Sequence, residues 1–345
     1  EIIGIEKGKI ELDLSNLSLA TKKGKITWSG SANLISLQNP KGLSMGGRNN
    51  NFLFENASLG NLNLSSEHLP DFSQLFKANL SAWLHIPEGK FIDSNRTVQW
   101  HNARFDNSNR TLSLDSFSYR PTASIDSAVA RALTRFDYMT LKTGAMKISG
   151  LDVAQYEKDS SFIAENIIIT DPVFTVFTDL KLPRNTIRKD KPLLVHIIKN
   201  MDLPVSVNAI EIENGNIIYT ERNAGSRNEG DLLFNNVNAR IENIRNRNLL
   251  PGDSLSITAK ANLMDAAEIN VNLRQSYTDS LNGFVLIGKA GGTDLSVLNP
   301  FLLSAVNIKI DKGILDSMHF KVIGRDDVAL GEMSLHYHDL RIKFI

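Results

Sequence analysis

The sequence contains no cysteine. That excludes a disulfide framework, zinc–thiolate sites and thiol catalysis, and leaves the compartment open between a reducing cytosol and a disulfide-poor periplasm. Net charge is missing too: Lys and Arg total 38 and Asp and Glu total 38. The basic footprint that phosphate neutralisation leaves on nucleic-acid-binding proteins is therefore absent, and nucleic acid is not an expected partner. No apolar run approaches the roughly 18 residues that span a bilayer. Nor is there a G-x-S-x-G elbow, a Walker loop, an H-E-x-x-H or a G-x-G-x-x-G following a strand.

What is present is alternation. In "SLSITAKANLM" Leu255, Ile257, Ala259, Ala261 and Leu263 share one face, while Ser256, Thr258, Lys260 and Asn262 take the other. Ile269, Val271 and Leu273 alternate with Asn270, Asn272 and Arg274, and Ile26, Trp28, Gly30, Ala32 and Leu34 with Thr27, Ser29, Ser31 and Asn33. Further strands read at "LLFNNVNARIENI", "TLSLDSFSY", "PVFTVFTDL", "NGFVLIGK", "MHFKVIG" and "LGEMSLHYHDL". The fold class is mainly β, and 345 residues with 42% hydrophobic and 22% charged content suffice for one large core or two ordinary ones.

One phrase recurs: "IEKGKIELDL" from Ile5, "IPEGKFIDS" from Ile86, "LKTGAMKIS" from Leu141, "IENGNIIYTE" from Ile212 and "IDKGILDSM" from Ile310. Its Gly-ending pairs, Lys7-Gly8, Glu88-Gly89, Thr143-Gly144, Asn214-Gly215 and Lys312-Gly313, predict tight hairpin turns with the glycine at positive φ. Their unequal spacing argues against a fixed-period repeat and for a sheet of meanders that each restart with a similar hairpin. Three segments depart from the β pattern: "SSEHLPDFSQLF" from Ser65, "SIDSAVARALTRF" from Ser124 with a Ser or Asp cap, and "KPLLVHIIKNM" with Pro192 in its first turn. They read as short helices lying on the sheet or plugging its ends. The polar, basic, Pro-bounded run from Leu182 to Pro192 places a soft division, giving an N-terminal part over 1–182 and a C-terminal part over 183–345. Both chain ends read as cut, so the sequence is expected to be part of a longer protein.

Candidate chemistry is sparse. His336 and His338 lie two apart on a predicted strand and share a face, as a metal pair requires, but Asp339 alternates away and Met333, Leu335 and Tyr337 are expected on the buried side. Asp106, Asp115, Glu165 and Asp171 sit at strand ends or turns, where a turn carboxylate is the simpler reading than half of a hydrolytic pair. Gly291-Gly292 lacks the lysine of a phosphate cradle. Arg184, Arg188, Lys189 and Lys191 form a basic cluster of the kind that meets anionic headgroups, with a solvated loop as the plain alternative. No catalytic residue, metal site or cofactor is assigned. What remains is the dry face itself, on which the small residues Gly30, Ala32, Ala259, Ala261 and Gly288 leave either room for a flexible apolar ligand or close backbone packing.

The runs "FTVFTDLKLP", "KPLLVHIIKNMDLPVSVNAIEIENGNIIYTER", "GDLLFNNVNARIENI", "LSITAKANLMDAAEINVNL" and "FVLIGKAGGTDLSVLNPFLLSAVNIKIDKGILDSMHFKVIGRDDVALGEMSLHYHDL" resemble the AsmA-like family of Gram-negative envelope proteins, in its Bacteroidetes version. The resemblance covers Asp152 to Leu340 and is carried by structural motifs. It implies a long, curved antiparallel sheet forming an open, taco-like groove with a few short helices. It also implies a periplasmic body held to the inner membrane by an N-terminal anchor that this sequence lacks, and a kinship with TamB and the bridge-like lipid-transfer proteins. On that reading the protein is not an enzyme: it binds or conducts phospholipid or other acyl lipid in outer-membrane biogenesis or lipid homeostasis. The candidate lining residues are Ile257, Ala259, Ala261, Ile269, Val271, Leu273, Phe284, Leu286, Phe320 and Val322. The alternatives are a structural or assembly factor offering sheet edges to outer-membrane proteins, and a polysaccharide-active enzyme on a β-scaffold.

Overall fold

The computed structural model describes residues 9–22, 25–38, 43–44, 51–54, 56–65, 80–184, 192–223, 229–281, 283–325 and 328–345. The protein is mainly β. In chain order the first strands are β1 (Lys9–Lys22), β2 (Lys25–Gln38), β3 (Leu43–Ser44), β4 (Asn51–Phe54), β5 (Asn56–Ser65), β6 (Trp83–Ile92), β7 (Arg96–Asp106), β8 (Thr111–Leu114) and β9 (Ser116–Pro121). The next are β10 (Asp137–Thr143), β11 (Met146–Ser149), β12 (Phe162–Thr170), β13 (Val173–Asp179), β14 (Val205–Arg222) and β15 (Glu229–Arg245). The last are β16 (Ser254–Leu263), β17 (Ala267–Ser276), β18 (Phe284–Ala290), β19 (Thr293–Asp294), β20 (Ile308–Gly324) and β21 (Ala329–Phe344). Four short α-helices interrupt them among the described residues: α1 (Ile125–Arg131), α2 (Val153–Asp159), α3 (Leu194–Lys199) and α4 (Asn299–Val306).

The chain packs as two compact units interleaved in sequence. One comprises Glu1–Thr122, Gly144–Ile167 and Leu203–Val205, the other Ala123–Thr143, Ile168–Asp202 and Ser206–Ile345.

In the first unit β1 pairs with β2, β2 with β5, β5 with β6, and β6 with β7, all antiparallel. Its core is small and aliphatic: Ala32, Leu59, Leu62 and Ala82 are buried, with Ile35 and Leu84 packed against them. The expected face of β2 does not survive intact. Between Ser31 and Leu34 the pairing with β1 slips by one residue, so Ala32 and Ile35, not Ala32 and Leu34, turn inward, and Leu34 and Ile26 are exposed.

In the second unit β14 to β18, β20 and β21 form an antiparallel meander. Its far edge departs from a wholly antiparallel sheet: β13 runs parallel to β14, from Val173 opposite Asn216 to Asp179 opposite Arg222, and is antiparallel to β10.

The recurring Gly-ending pairs are not hairpin turns. Glu88-Gly89 lies inside β6, Asn214-Gly215 inside β14 and Lys312-Gly313 inside β20, while Gly144 falls in the break between β10 and β11. Lys7-Gly8 lies outside the described residues. None of the four described glycines takes a positive φ; within the strands the left-handed residues are mostly asparagines, among them Asn16, Asn61, Asn102, Asn214, Asn236 and Asn243. Each described in-strand copy faces a partner strand carrying such a residue. Gly89 pairs with Trp100 two positions from Asn102, Gly215 with Val237 beside Asn236, and Gly313 lies across from Asp339 and Leu340. Asparagine tolerates the left-handed region because its short amide bonds locally. The extra residue bends the strand and pushes a side chain across, and a glycine makes room for it. At Gly215 and Gly313 the phrase thus marks bulges in long strands, whereas β6 and β7 stay in register past Gly89.

Two predicted helices are found. Ser124 caps α1 by accepting from the Ser127 N–H at 3.3 Å, and α3 falls within "KPLLVHIIKNM". The segment from Ser65 to Phe76 lies, Ser65 aside, outside the described residues. Helices α2, capped by Asp152, and α4, with Pro300 in its first turn, were not anticipated.

Candidate functional site

All ten candidate lining residues fall on one face of the second unit, in register. One ladder of directly opposed residues runs Ile210, Ile241, Ile257, Leu273, Leu286, Val322 and Gly331 across β14, β15, β16, β17, β18, β20 and β21. The neighbouring ladder runs Ile212, Ala239, Ala259, Val271, Gly288, Phe320 and Met333 across the same strands. Ala261 opposite Ile269 and Gln275 opposite Phe284 extend the face on either side. Six spacings of about 4.8 Å make this face about 29 Å across. Every one of the ten candidates is half-buried: none reaches core burial and none is fully open.

The reverse face is polar. Ser256 opposes Arg274, Thr258 opposes Asn272, Lys260 opposes Asn270 and Asn262 opposes Glu268. Thr258 Oγ1 donates to Asn272 Oδ1 at 3.1 Å and Lys260 Nζ lies 3.0 Å from Glu268, while Arg240 bridges Glu211 and Glu242. These exposed pairs add little stability, but they fix the sidedness of the sheet: moving the register by one residue would place a row of charges on the apolar face.

Helices cover two margins of the apolar face. At one, Val195 of α3 is fully buried and its N–H donates to Oε1 of Gln275 at 3.2 Å. Gln275 is opposed by Leu255, and both are buried beside Tyr277, whose hydroxyl donates to the Asn243 carbonyl at 2.8 Å. At the other, the Phe301 ring of α4 packs against Tyr219 with centroids 6.3 Å apart and planes tilted by 52°, and Asn223 Nδ2 donates to the Ser304 and Ala305 carbonyls at 3.1 and 2.8 Å. Both helices therefore act as end plugs, leaving the ladders between them without a covering layer among the described residues.

The small residues divide in their role. Gly288 does not open a lumen, because the ring of its direct partner Phe320 occupies the space a side chain would fill. Gly324 and Phe284, Gly89 and Trp100, and Gly60 and Trp83 repeat the arrangement. The flat backbone of a strand glycine seats an aromatic ring, which shields it from water. Ala259 and Ala261, by contrast, remain half-buried between larger neighbours.

The other candidates disperse. His336 Nε2 lies 3.1 Å from Ser334 Oγ, and His338 Nδ1 lies 3.1 Å from Asp316. No group of three metal-binding side chains exists among the described residues. Met333, Leu335 and Tyr337, expected to be buried, are exposed. Asp106 holds its own turn, accepting from Ser108 Oγ at 2.6 Å and from the Asn109 N–H at 3.1 Å, bonds that lower its pKa. Asp115 accepts from Asn102, Asp171 from Asn214, and Glu165 lies 3.9 Å from Arg110. Arg184 is exposed, and Arg188, Lys189 and Lys191 lie outside the described residues.

One cluster gave no signal in the sequence. Buried Asp179 lies 3.4 Å from Arg222, which also pairs with Glu229 at 2.7 Å and sits 4.9 Å over the Phe177 ring. Nearby, Tyr219 donates to Glu221 at 2.6 Å, and burial followed by that bond pushes the phenol up to about 12. These residues are brought together by the parallel β13–β14 pair, which no local motif announces. Among the described residues no helix is long and apolar enough to cross a membrane. No family model and no curated protein matches the sequence.

Proposed function

We propose that the apolar face of the second unit holds acyl chains, and that the chain is a non-enzymatic, AsmA-like lipid-binding or lipid-conducting protein of the periplasm. The observation that carries this reading is the pair of ladders: seven strands bring apolar positions into register, interrupted by glycine only at Gly288 and Gly331, and the ten candidate residues on them and beside them are half-buried. A face about 29 Å across exceeds the roughly 15 Å depth of one leaflet of hydrocarbon. Each methylene removed from water contributes about 0.8 kcal/mol, so affinity follows from contact length without a specific polar site. Phospholipid is the proposed cargo. Anchorage to the inner membrane and a part in outer-membrane biogenesis or lipid homeostasis belong to the same proposal.

Native mass spectrometry of the protein purified from membranes tests it, together with exchange of a fluorescent acyl probe. Co-purifying phospholipid and saturable probe uptake are expected; protein that carries no lipid and takes up no probe overturns the reading. A second reading, an assembly factor for outer-membrane proteins, is favoured by β21. All of its residues except Leu340 are exposed, and its one pairing among the described residues is with β20, so it offers a long edge for strand addition.

A further inference from the structure

Across β16 and β17 the reverse face of the second unit is polar, and exposed aliphatics on it gather on β18, β20 and β21. There Val285, Ile323 and Leu330 oppose one another across β18, β20 and β21, and Arg274 is the partner of Val285 on β17. The next row on the same face is Asn272, Ile287, Lys321 and Glu332, so one further exposed aliphatic, Ile287, adjoins the three before the surface becomes polar. Core packing does not explain them: Val285, Ile323 and Leu330 are 36%, 52% and 78% exposed. They floor a cleft of about 870 Å³ whose walls include Arg274, Arg325 and Asp279. Contiguous exposed apolar surface rimmed by polar groups marks a binding site.

The charges on the rim select the ligand. Arg274 Nε donates to Ser254 Oγ at 3.0 Å, which leaves the guanidinium directed by a neutral partner. The carboxylate of Asp279 is turned to its own loop, with Oδ1 accepting the Leu281 N–H and Oδ2 the Gly283 N–H, both at 3.0 Å. From Arg274 to Leu330 the row crosses three strand spacings, about 14 Å, the reach of a single medium-length alkyl chain. We propose that this cleft binds a single-chain anionic amphiphile, a medium-chain carboxylate, with its headgroup on Arg274 and its chain laid across Val285, Ile323 and Leu330. The three aliphatics lie on the face opposite the acyl-binding ladders, and the cleft meets that face only at the strand end, where Phe284 also lines it.

Calorimetric titration of the purified chain with laurate below its micelle concentration, compared with dodecanol and dodecyltrimethylammonium, tests the assignment. Laurate should bind most tightly and the ammonium most weakly. Arg274→Gln should weaken laurate by about tenfold or more, as expected for a lost charge-assisted bond, and leave dodecanol unchanged. Ile323→Asp and Leu330→Asp, both at exposed positions, should remove the laurate binding that depends on Arg274, whereas Val271→Asp, which weakens acyl binding to the ladders, should leave that Arg274-dependent binding intact. Equal affinity for laurate and the ammonium would overturn the proposal. So would Arg274-dependent laurate binding that survives Ile323→Asp and Leu330→Asp, or that is lost with Val271→Asp in a variant whose circular dichroism is unchanged.

Discussion

The ring of Phe320 lies on Gly288, its direct cross-strand partner, and a Cβ at that glycine would overlap the ring. This pairing decides what the small residues on the apolar face do. A glycine here is the seat of an aromatic ring, and the ladder Val271, Gly288, Phe320 stays level across three strands because the missing side chain and the large one fill a single space.

Substituting Gly288→Val should therefore destabilise the protein by about 1–3 kcal/mol through overpacking. In a Phe320→Ala background the same substitution should cost much less, because the space is then vacant. A double-mutant cycle measured by urea denaturation checks the coupling.

At the Asn214-Gly215 bulge the strain falls on the asparagine, at φ 54°, and not on the glycine. Asn214→Ala and Asn214→Gly both lose the bond to Asp171, so the difference between them isolates the backbone: alanine should be the less stable by about 1 kcal/mol. Gly215→Ala should be destabilising for another reason, because its Cβ would meet Pro172 Cγ at 3.1 Å and Ile212 Cγ2 at 3.2 Å. Thermal melts of the three variants separate the two effects.

Tyr219 sets a pH dependence at the alkaline end. An unfolded tyrosine ionises near about pH 10, whereas burial and the bond to Glu221 hold Tyr219 to about 12. Its contribution is thus fully present below about pH 10 and is lost as pH rises towards 12, since the unfolded chain gives up the proton first. Compared with wild type, Tyr219→Phe should lose stability less steeply over that interval in urea denaturation at stepped pH.

The two faces of β17 should respond oppositely in the acyl-probe assay. Val271→Asp places a charge within the ladder and should reduce probe uptake by about tenfold or more, while Asn272→Asp, one residue along on the polar face, should leave uptake unchanged. Circular dichroism of both variants confirms that the sheet is retained.

Much of this was legible beforehand. Strict period-two alternation in "SLSITAKANLM" and "INVNLR" assigned β16 and β17 and the sidedness of each, because a strand with one dry face has only one register that keeps Lys260 and Arg274 in water. The Ser124 cap of α1 was local enough to read, whereas the buried face of α3 was not: Leu194, Ile197 and Met201 are exposed and Val195 is the residue that packs. The recurring Gly pairs misled for a physical reason: a glycine beside an asparagine looks the same whether it turns a hairpin or faces a bulge, and only the partner strand distinguishes them. Likewise, exposure at Met333, Leu335 and Tyr337 follows from what lies across from β21, which alternation within β21 does not contain.

By itself, then, the sequence determined the β class and which side chains share a face, since both depend on the chain's own two-residue period. Only the tertiary structure decided which strands became neighbours. That pairing seated Phe320 on Gly288, gathered Asp179, Arg222 and Glu229 at the parallel edge, and aligned Val285, Ile323 and Leu330 beside Arg274. The reason is that such pairings include residues far apart in the chain, Asp179 and Arg222 by 43 positions, so no local period encodes them.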